Sequence, residues 1–233
     1  MTQTVKYRHE FKYLCSQAQL AVIQSRLEVM LSHDRHARDG QYCIRSMYFD
    51  NYANRCFYEN EDGVSPREKY RIRIYNGSDE RISLECKCKE ADKTRKTACL
   101  LTRQEYEDIL NGGTVENLSA KPELLRRFIL LQKTQMFKPA VIVEYDRTPY
   151  VYAVGNVRIT LDKNIRSSND FGGFFRETLP CRQILPAGQH LLEVKYDELL
   201  PSFIQDVLQI NDLQRTTFSK YYLCRKFSMG GRI

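Results

Sequence analysis

The sequence predicts an α+β domain, with about eight strands in an antiparallel sheet that curls or closes and helices packed around it. Three observations lead there. Strand-like segments dominate the chain, while helix-like segments are fewer and carry start and stop signals. On strand after strand, long cations line one face and apolar residues the other. The expected strands lie near 4–14, 42–51, 67–76, 81–90, 94–101, 140–153, 156–163 and 190–197.

Taken in order, the first strand reads "YRHEFKY", with Arg8, Glu10 and Lys12 opposite His9, Phe11 and Tyr13. The helix "SQAQLAVIQSRLEVML" opens with a Ser16/Gln19 capping box and carries an apolar stripe at helical spacing. In "REKYRIRIYNG", Lys69, Arg71 and Arg73 face one way and Tyr70, Ile72 and Ile74 the other. "ISLECKCKE" sets Glu85, Lys87 and Lys89 against Leu84, Cys86 and Cys88. A second helix, "TRQEYEDILNGG", has Thr102 and Glu105 as its box and Gly112 as its stop. A third, "KPELLRRFILLQ", has Pro122 early, where a missing amide hydrogen costs least. The strand "VIVEYDR" ends on Arg147, and "NVRITLD" sets Arg158, Thr160 and Asp162 against Val157, Ile159 and Leu161. "LLEVKYD" sets Glu193 and Lys195 against Leu192, Val194 and Tyr196, and "LPSFIQDVLQI" and "SKYYLCRKF" read as helices.

The chain has 233 residues, ample for a core, and 42% hydrophobic with 28% charged residues is an ordinary soluble balance. A net charge of +7 favours anionic partners without choosing among them. No apolar run approaches the roughly 20 residues of a membrane span. The start, "MTQTVKYRHEFKY", lacks the apolar core of a secretory signal. A cytoplasmic protein is expected, held at the inner face of a membrane only through a partner. The eight cysteines include no CxxC pair, and Cys86 and Cys88 read as small apolar residues rather than zinc ligands. With no repeat or linker, residues 1–233 are expected to form a single domain.

A polar strand face is ordinarily solvated. Here it is mostly long cations with sparse glutamates. If the sheet closes, those faces turn towards one another, and unpaired cations enclosed together need a polyanion and water. Nucleic acid is the weaker fit, because the tyrosines sit mainly on the apolar side of the cationic strands.

In order, "HEFKY", "SMYFDN", "KYRIRIY", "LECKCK", "EYDRTPY", "VRITLD", "LLEVKY" and "FSKYY" resemble the VTC domain of polyphosphate polymerases, within the triphosphate tunnel metalloenzymes of the CYTH-like superfamily. The resemblance spans nearly the whole chain. It implies an eight-stranded antiparallel β-barrel, the triphosphate tunnel, with flanking helices. It implies that Lys12, Arg71, Arg73, Lys87 and Arg158 act on the triphosphate or product chain together with Glu193. Arg8, Lys69, Lys89, Lys96, Arg147, Lys195, Ser219 and Lys220 are implied as further phosphate contacts. Glu193, with Glu10, is implied to hold Mn²⁺ or Mg²⁺.

Departures from the superfamily pattern bear on the activity. Hydrolytic branches begin with an ExExK strand, whereas this chain has Arg8-x-Glu10-x-Lys12, and its late strand reads Glu193-x-Lys195. Fewer carboxylates hold fewer metals and leave less to position a water. Thr217 stands where the fungal pattern has a further basic residue. The expected activity is therefore transfer of the γ-phosphoryl of ATP to a growing polyphosphate chain, with ATP and inorganic polyphosphate as ligands and a membrane-embedded protein as a possible partner. A tripolyphosphatase or nucleotide triphosphatase, and a binding module without turnover, stay open.

Overall fold

Each segment with period-two alternation forms a strand. The computed structural model describes residues 8–35, 37, 39–91, 93–112, 114–210 and 213–230; residues 4–7 of the expected first strand lie outside them. The strands are β1 (His9–Ser16), β2 (Ser32–His33), β3 (Tyr42–Asp50), β4 (Arg67–Tyr75), β5 (Ser78–Glu90), β6 (Lys93–Leu101), β7 (Lys138–Tyr152), β8 (Val157–Ser168), β9 (Arg182–Gln183) and β10 (Gln189–Tyr196). The helices are α1 (Gln17–Met30), α2 (Arg55–Glu61), α3 (Arg103–Asn111), α4 (Glu123–Gln135), α5 (Ser202–Leu208) and α6 (Lys220–Ser228).

The eight long strands follow the hydrogen-bonded order β1-β10-β8-β7-β3-β4-β5-β6, with β2 on β7 and β9 on β8. This is the eight-stranded antiparallel sheet with flanking helices that the sequence predicts. As a hydrogen-bonded path it is open, beginning at β1 and ending at β6. The short β2, β9 and α2 are additions to the expected elements. Among the described residues no helix is long and apolar enough to cross a membrane.

The chain forms two compact units. The first comprises Met1–Cys43, Tyr145–Ile165 and Leu185–Ser219. Its core is one cluster in which Leu20, Ile23 and Leu27 of α1 and Ile204 of α5 meet Ile159 and Leu161 of β8 and Leu192 and Val194 of β10. All are fully buried, and each such side chain contributes on the order of 1.5–3 kcal/mol of transfer free energy. The stripe on α1 is set by its capping box: the Ser16 hydroxyl accepts from the Gln19 amide at 3.2 Å, and the Gln19 side chain accepts from the Ser16 amide at 2.8 Å.

The second unit comprises Ile44–Glu144, Arg166–Ile184 and Lys220–Ile233. Phe128 of α4 packs edge-on to Phe49 at 4.9 Å and tilts against Tyr70 at 5.6 Å, so α4 covers the apolar face of β3 and β4. The helix α2 starts on a carboxylate: Asp50, at the end of β3, accepts from the amides of Cys56 and Phe57 at 2.8 and 3.1 Å. The Tyr221 hydroxyl of α6 donates to the same Asp50 at 2.7 Å, which joins two helices and a strand end on one anion.

Arg45 makes a second buried node. It donates to the Glu144 carboxylate and to the carbonyls of Phe174 and Arg176, both at 2.7 Å, while Arg166 holds the other Glu144 oxygen at 2.7 Å. Arg45 is 2% exposed and Glu144 3%, so water cannot replace either partner. Arg45→Met removes the donor from one carboxylate oxygen and two carbonyls. A loss of about 3 kcal/mol in unfolding free energy is expected from chemical denaturation, at the low end for a broken buried pair because Arg166 remains. An unchanged midpoint would remove Arg45 from this role.

Candidate functional site

In the second unit, antiparallel register turns the alternation of each strand into a grid. Lys69 of β4, Lys87 of β5 and Lys96 of β6 lie in register, side by side across three strands. One row over, Tyr48, Arg71, Glu85 and Ala98 are in register across β3 to β6, and the row beyond holds Ser46, Arg73 and Ser83. Lys89 lies opposite Arg67 on β4 and Thr94 on β6. Like charges directly opposite are destabilising on a sheet, so the grid needs a counter-charge.

Glu85 supplies one. Arg71 donates to it through Nε at 2.8 Å and lies 2.6 Å away through Nη2, and Lys96 Nζ is 2.6 Å from its other oxygen. Burial pushes the Glu85 carboxyl up, but the charges of Arg71, Arg73 and Lys96 overcome this and pull it down to about 2. The Lys96 side chain is half-exposed, yet partial desolvation holds its ammonium below its ordinary range in spite of Glu85, with Arg73 and Arg71 adding to the lowering. Arg71 is further fixed by the Tyr48 hydroxyl at 2.8 Å, and the buried Arg73 donates to Ser46 at 3.1 Å. Lys69 donates to Asn60 and lies 5.3 Å from the centre of the Tyr221 ring.

The first unit carries a different pattern. Across β1, β10 and β8 one row is Lys12, Glu193, Thr160, and the next is Glu10, Lys195, Arg158. Opposite charges therefore face each other between β1 and β10. Lys12 Nζ lies 2.9 Å from Glu10 and 3.7 Å from Glu193 and donates to the Phe218 carbonyl at 2.9 Å. Lys195 reaches Glu193 at 2.8 Å, and Arg147 lies 3.6 Å from it. Arg147 grips Asp162 with two bonds of 2.6 and 2.7 Å. Burial works against its charge, but Asp162 above all holds the guanidinium well above its ordinary range. Arg158, opposite Lys195, is drawn to Asp34 at 3.0 Å and to the Tyr42 hydroxyl at 2.9 Å.

Each unit thus gathers a share of the sequence-predicted residues: Glu10, Lys12, Arg147, Arg158, Glu193 and Lys195 in the first; Lys69, Arg71, Arg73, Lys87, Lys89 and Lys96 in the second. Arg8, just before β1, is ion-paired with Asp197 at 3.0 Å and donates to the Asn156 carbonyl. Ser219 ends the first unit, and Lys220 opens α6 in the second. Sequence reasoning gave no role to Glu85, Asp162, Asp34, Tyr42, Tyr48 or Thr160. The signal for Asp162 was present, since it shares a strand face with Arg158 and Thr160.

The VTC domain model matches residues 7–229. The chain belongs to the VTC domain family. Its fold is that of solved triphosphate tunnel proteins. A Hippeastrum protein, described as an adenylyl cyclase candidate with a dominant triphosphatase activity, is 14% identical; the likeness covers 98% of each chain, with a TM-score of 0.57. An adenylate cyclase candidate from Bacillus halodurans is 15% identical over 90% of this chain and 88% of that one, with a TM-score of 0.50. A Pyrococcus horikoshii OT3 protein is 15% identical over 93% and 97%, also with a TM-score of 0.50. At these identities the likeness shows the fold. Comparison with curated proteins found no match.

Proteins of this fold generally use a divalent ion. Among the described residues no group of three or more His, Cys, Asp and Glu is arranged around one point. Glu10 and Glu193 instead share Lys12, and the buried Thr160 hydroxyl opposite Glu193 has no hydrogen-bond partner. Such hard oxygens fit Mg²⁺ or Mn²⁺ held by one or two carboxylates, with substrate phosphates supplying the rest.

The Glu85 ion pairs carry a stability signature. A carboxyl lowered from 4.5 to about 2 stabilises the fold above pH 4.5 and loses that contribution as pH falls towards 2. Acid titration of unfolding free energy should show wild type losing about 3 kcal/mol more than Glu85→Gln across this window. Parallel curves for the two proteins would show that Glu85 does not carry the charge compensation.

Proposed function

We propose that this VTC domain, acting as a single domain over the whole chain, is an ATP-dependent polyphosphate polymerase. The observation that carries the reading is the in-register lysine row 69–87–96 beside Arg71 and Arg73, with the Glu85 carboxylate opposite Arg71. A triphosphate or longer phosphate chain matches that surface in charge and in linear extent.

In this reading Arg71, Arg73, Lys87 and Arg158 hold the phosphates of ATP, with Lys69, Lys89, Lys96 and Lys195 extending the cationic surface and Arg8, Arg147, Ser219 and Lys220 as outlying phosphate contacts. Lys12 is a further contact to the triphosphate or product chain. A Mg²⁺ or Mn²⁺ ion at Glu193 and Glu10 would offset charge on phosphate oxygens. The terminal oxygen of a phosphate chain attacks the γ-phosphorus. A new P–O bond forms there while the bond to the β–γ bridging oxygen breaks, and ADP leaves with that electron pair. The nucleophile is already an anion at neutral pH, so no His or Cys is needed to activate it. Positioning and electrostatic stabilisation do the catalysis.

The second reading is a tripolyphosphatase or nucleotide triphosphatase, favoured by the meeting of Glu10 and Glu193 at Lys12. ³¹P NMR of the protein with ATP and Mn²⁺ separates the two. Internal-phosphate signals that grow alongside ADP are expected; free orthophosphate alone would make the protein a hydrolase, and no turnover would make it a binding module. Arg73→Ala is expected to cut turnover about 100-fold, the scale of losing one preorganised donor, with far-UV circular dichroism unchanged. Full activity in that variant would take Arg73 out of the site.

A further inference from the structure

Thr160 is 2% exposed, and its hydroxyl oxygen has no hydrogen-bond partner in the protein. Leaving a buried hydroxyl unpaired is costly, so native structures rarely retain one without a use. Thr160 lies in register with Glu193, which puts their side chains on one face with Cβ atoms about 5 Å apart. It also shares its strand face with Arg158 and Asp162. The neighbouring groups do not answer it. The Asp162 carboxylate is taken at both oxygens by Arg147, and the two Glu193 oxygens face Lys12 on one side and Lys195 and Arg147 on the other.

We infer that Thr160 is a positioning residue of the Glu193 centre, whose hydroxyl is held in reserve for an oxygen of a hydrated divalent cation bound there. A threonine hydroxyl can donate to a carboxylate while accepting from a water, so it can turn Glu193 towards an ion and hold one of the waters that such ions keep. The inference rests on the assignment of the cation to Glu193 made above.

The test compares Thr160→Val, which keeps the shape and removes the hydroxyl, with Thr160→Ser, which keeps the hydroxyl. Mn²⁺ binding is followed by electron paramagnetic resonance of the free ion, in the full chain without nucleotide, and thermal unfolding is recorded in EDTA. Thr160→Val should weaken Mn²⁺ binding about tenfold or more, the scale of losing a group that supports a metal ligand. Its melting temperature in EDTA should match or exceed wild type, because replacing an unpaired buried hydroxyl by an isosteric methyl is neutral or stabilising. Thr160→Ser should bind Mn²⁺ within threefold of wild type. Equal Mn²⁺ affinity in wild type and Thr160→Val would overturn the inference, as would a serine variant as impaired as the valine one. Glu193→Gln separates the two levels. If it binds Mn²⁺ as well as wild type does, the cation is not at Glu193 and the underlying assignment fails. If it abolishes binding while Thr160→Val leaves it intact, only the role of Thr160 fails.

Discussion

Electrostatic compensation between neighbouring strands is the constraint on which the rest of this structure depends. A sheet places in-register residues of adjacent strands about 4.8 Å apart, so a row of cations costs free energy unless a counter-charge lies within reach. The two units meet that constraint differently. Between β1 and β10 the charges alternate: Glu10 faces Lys195 and Lys12 faces Glu193. Between β4, β5 and β6 they do not, and Lys69, Lys87 and Lys96 stand together with Glu85 one row away. Between β1 and β10 the balance lies in the paired strands themselves; in the second unit the buried Glu85 carboxylate and the side chains of Tyr48, Ser46 and Asn60 are among the partners of the cations.

That reliance has a consequence for the cations themselves. Arg71 and Arg73 enter the face from a strand whose other side is locked into the core by Tyr70, Ile72 and Ile74, all buried. Their backbones are therefore fixed, and Tyr48 and Ser46 then fix their side chains. Guanidinium groups arranged before any anion arrives lose little freedom when one binds, which is the condition for electrostatic catalysis. The lowered Lys96 ammonium reports the same crowding, since partial desolvation and the nearby guanidiniums disfavour its charge even with Glu85 in contact.

The fold was legible where alternation is long. The eight long strands and five of the helices follow from period-two segments, capping boxes and the position of Pro122. The helix α2 was missed for a physical reason. Its cap residue Asn54 makes no side-chain capping bond to the helix, its oxygen accepting from Arg225 at 2.6 Å. Its first amide is held by Asn51 and the next two by Asp50, at the end of the preceding strand, where a local reading does not look. In the site, alternation found the cations because each strand announces its own face. The acids were harder. Glu85 and Asp162 were visible on the right faces, but their work lies in register with residues on other strands, and register is fixed only by folding. The expectation of unpaired cations is corrected accordingly: Asp162, Glu85 and Asp34 take up Arg147, Arg71 with Lys96, and Arg158. Thr160 gave no signal at all, because an alternating Thr on a strand looks like ordinary β-propensity.

The geometry of the lysine row also bears on what kind of anion suits it. Three ammonium-bearing residues follow one another across adjacent strands, so their attachment points span about 10 Å, transverse to the strands. A single phosphate placed on this row meets one or two of them. A linear polyanion lying across the strands meets all three. On the proposed reading, affinity rises with chain length until the row is filled. Length dependence of that kind serves an enzyme that must hold a growing product more than one that must release a short one, and on the proposed reading it is why the cations outnumber what a single triphosphate would need.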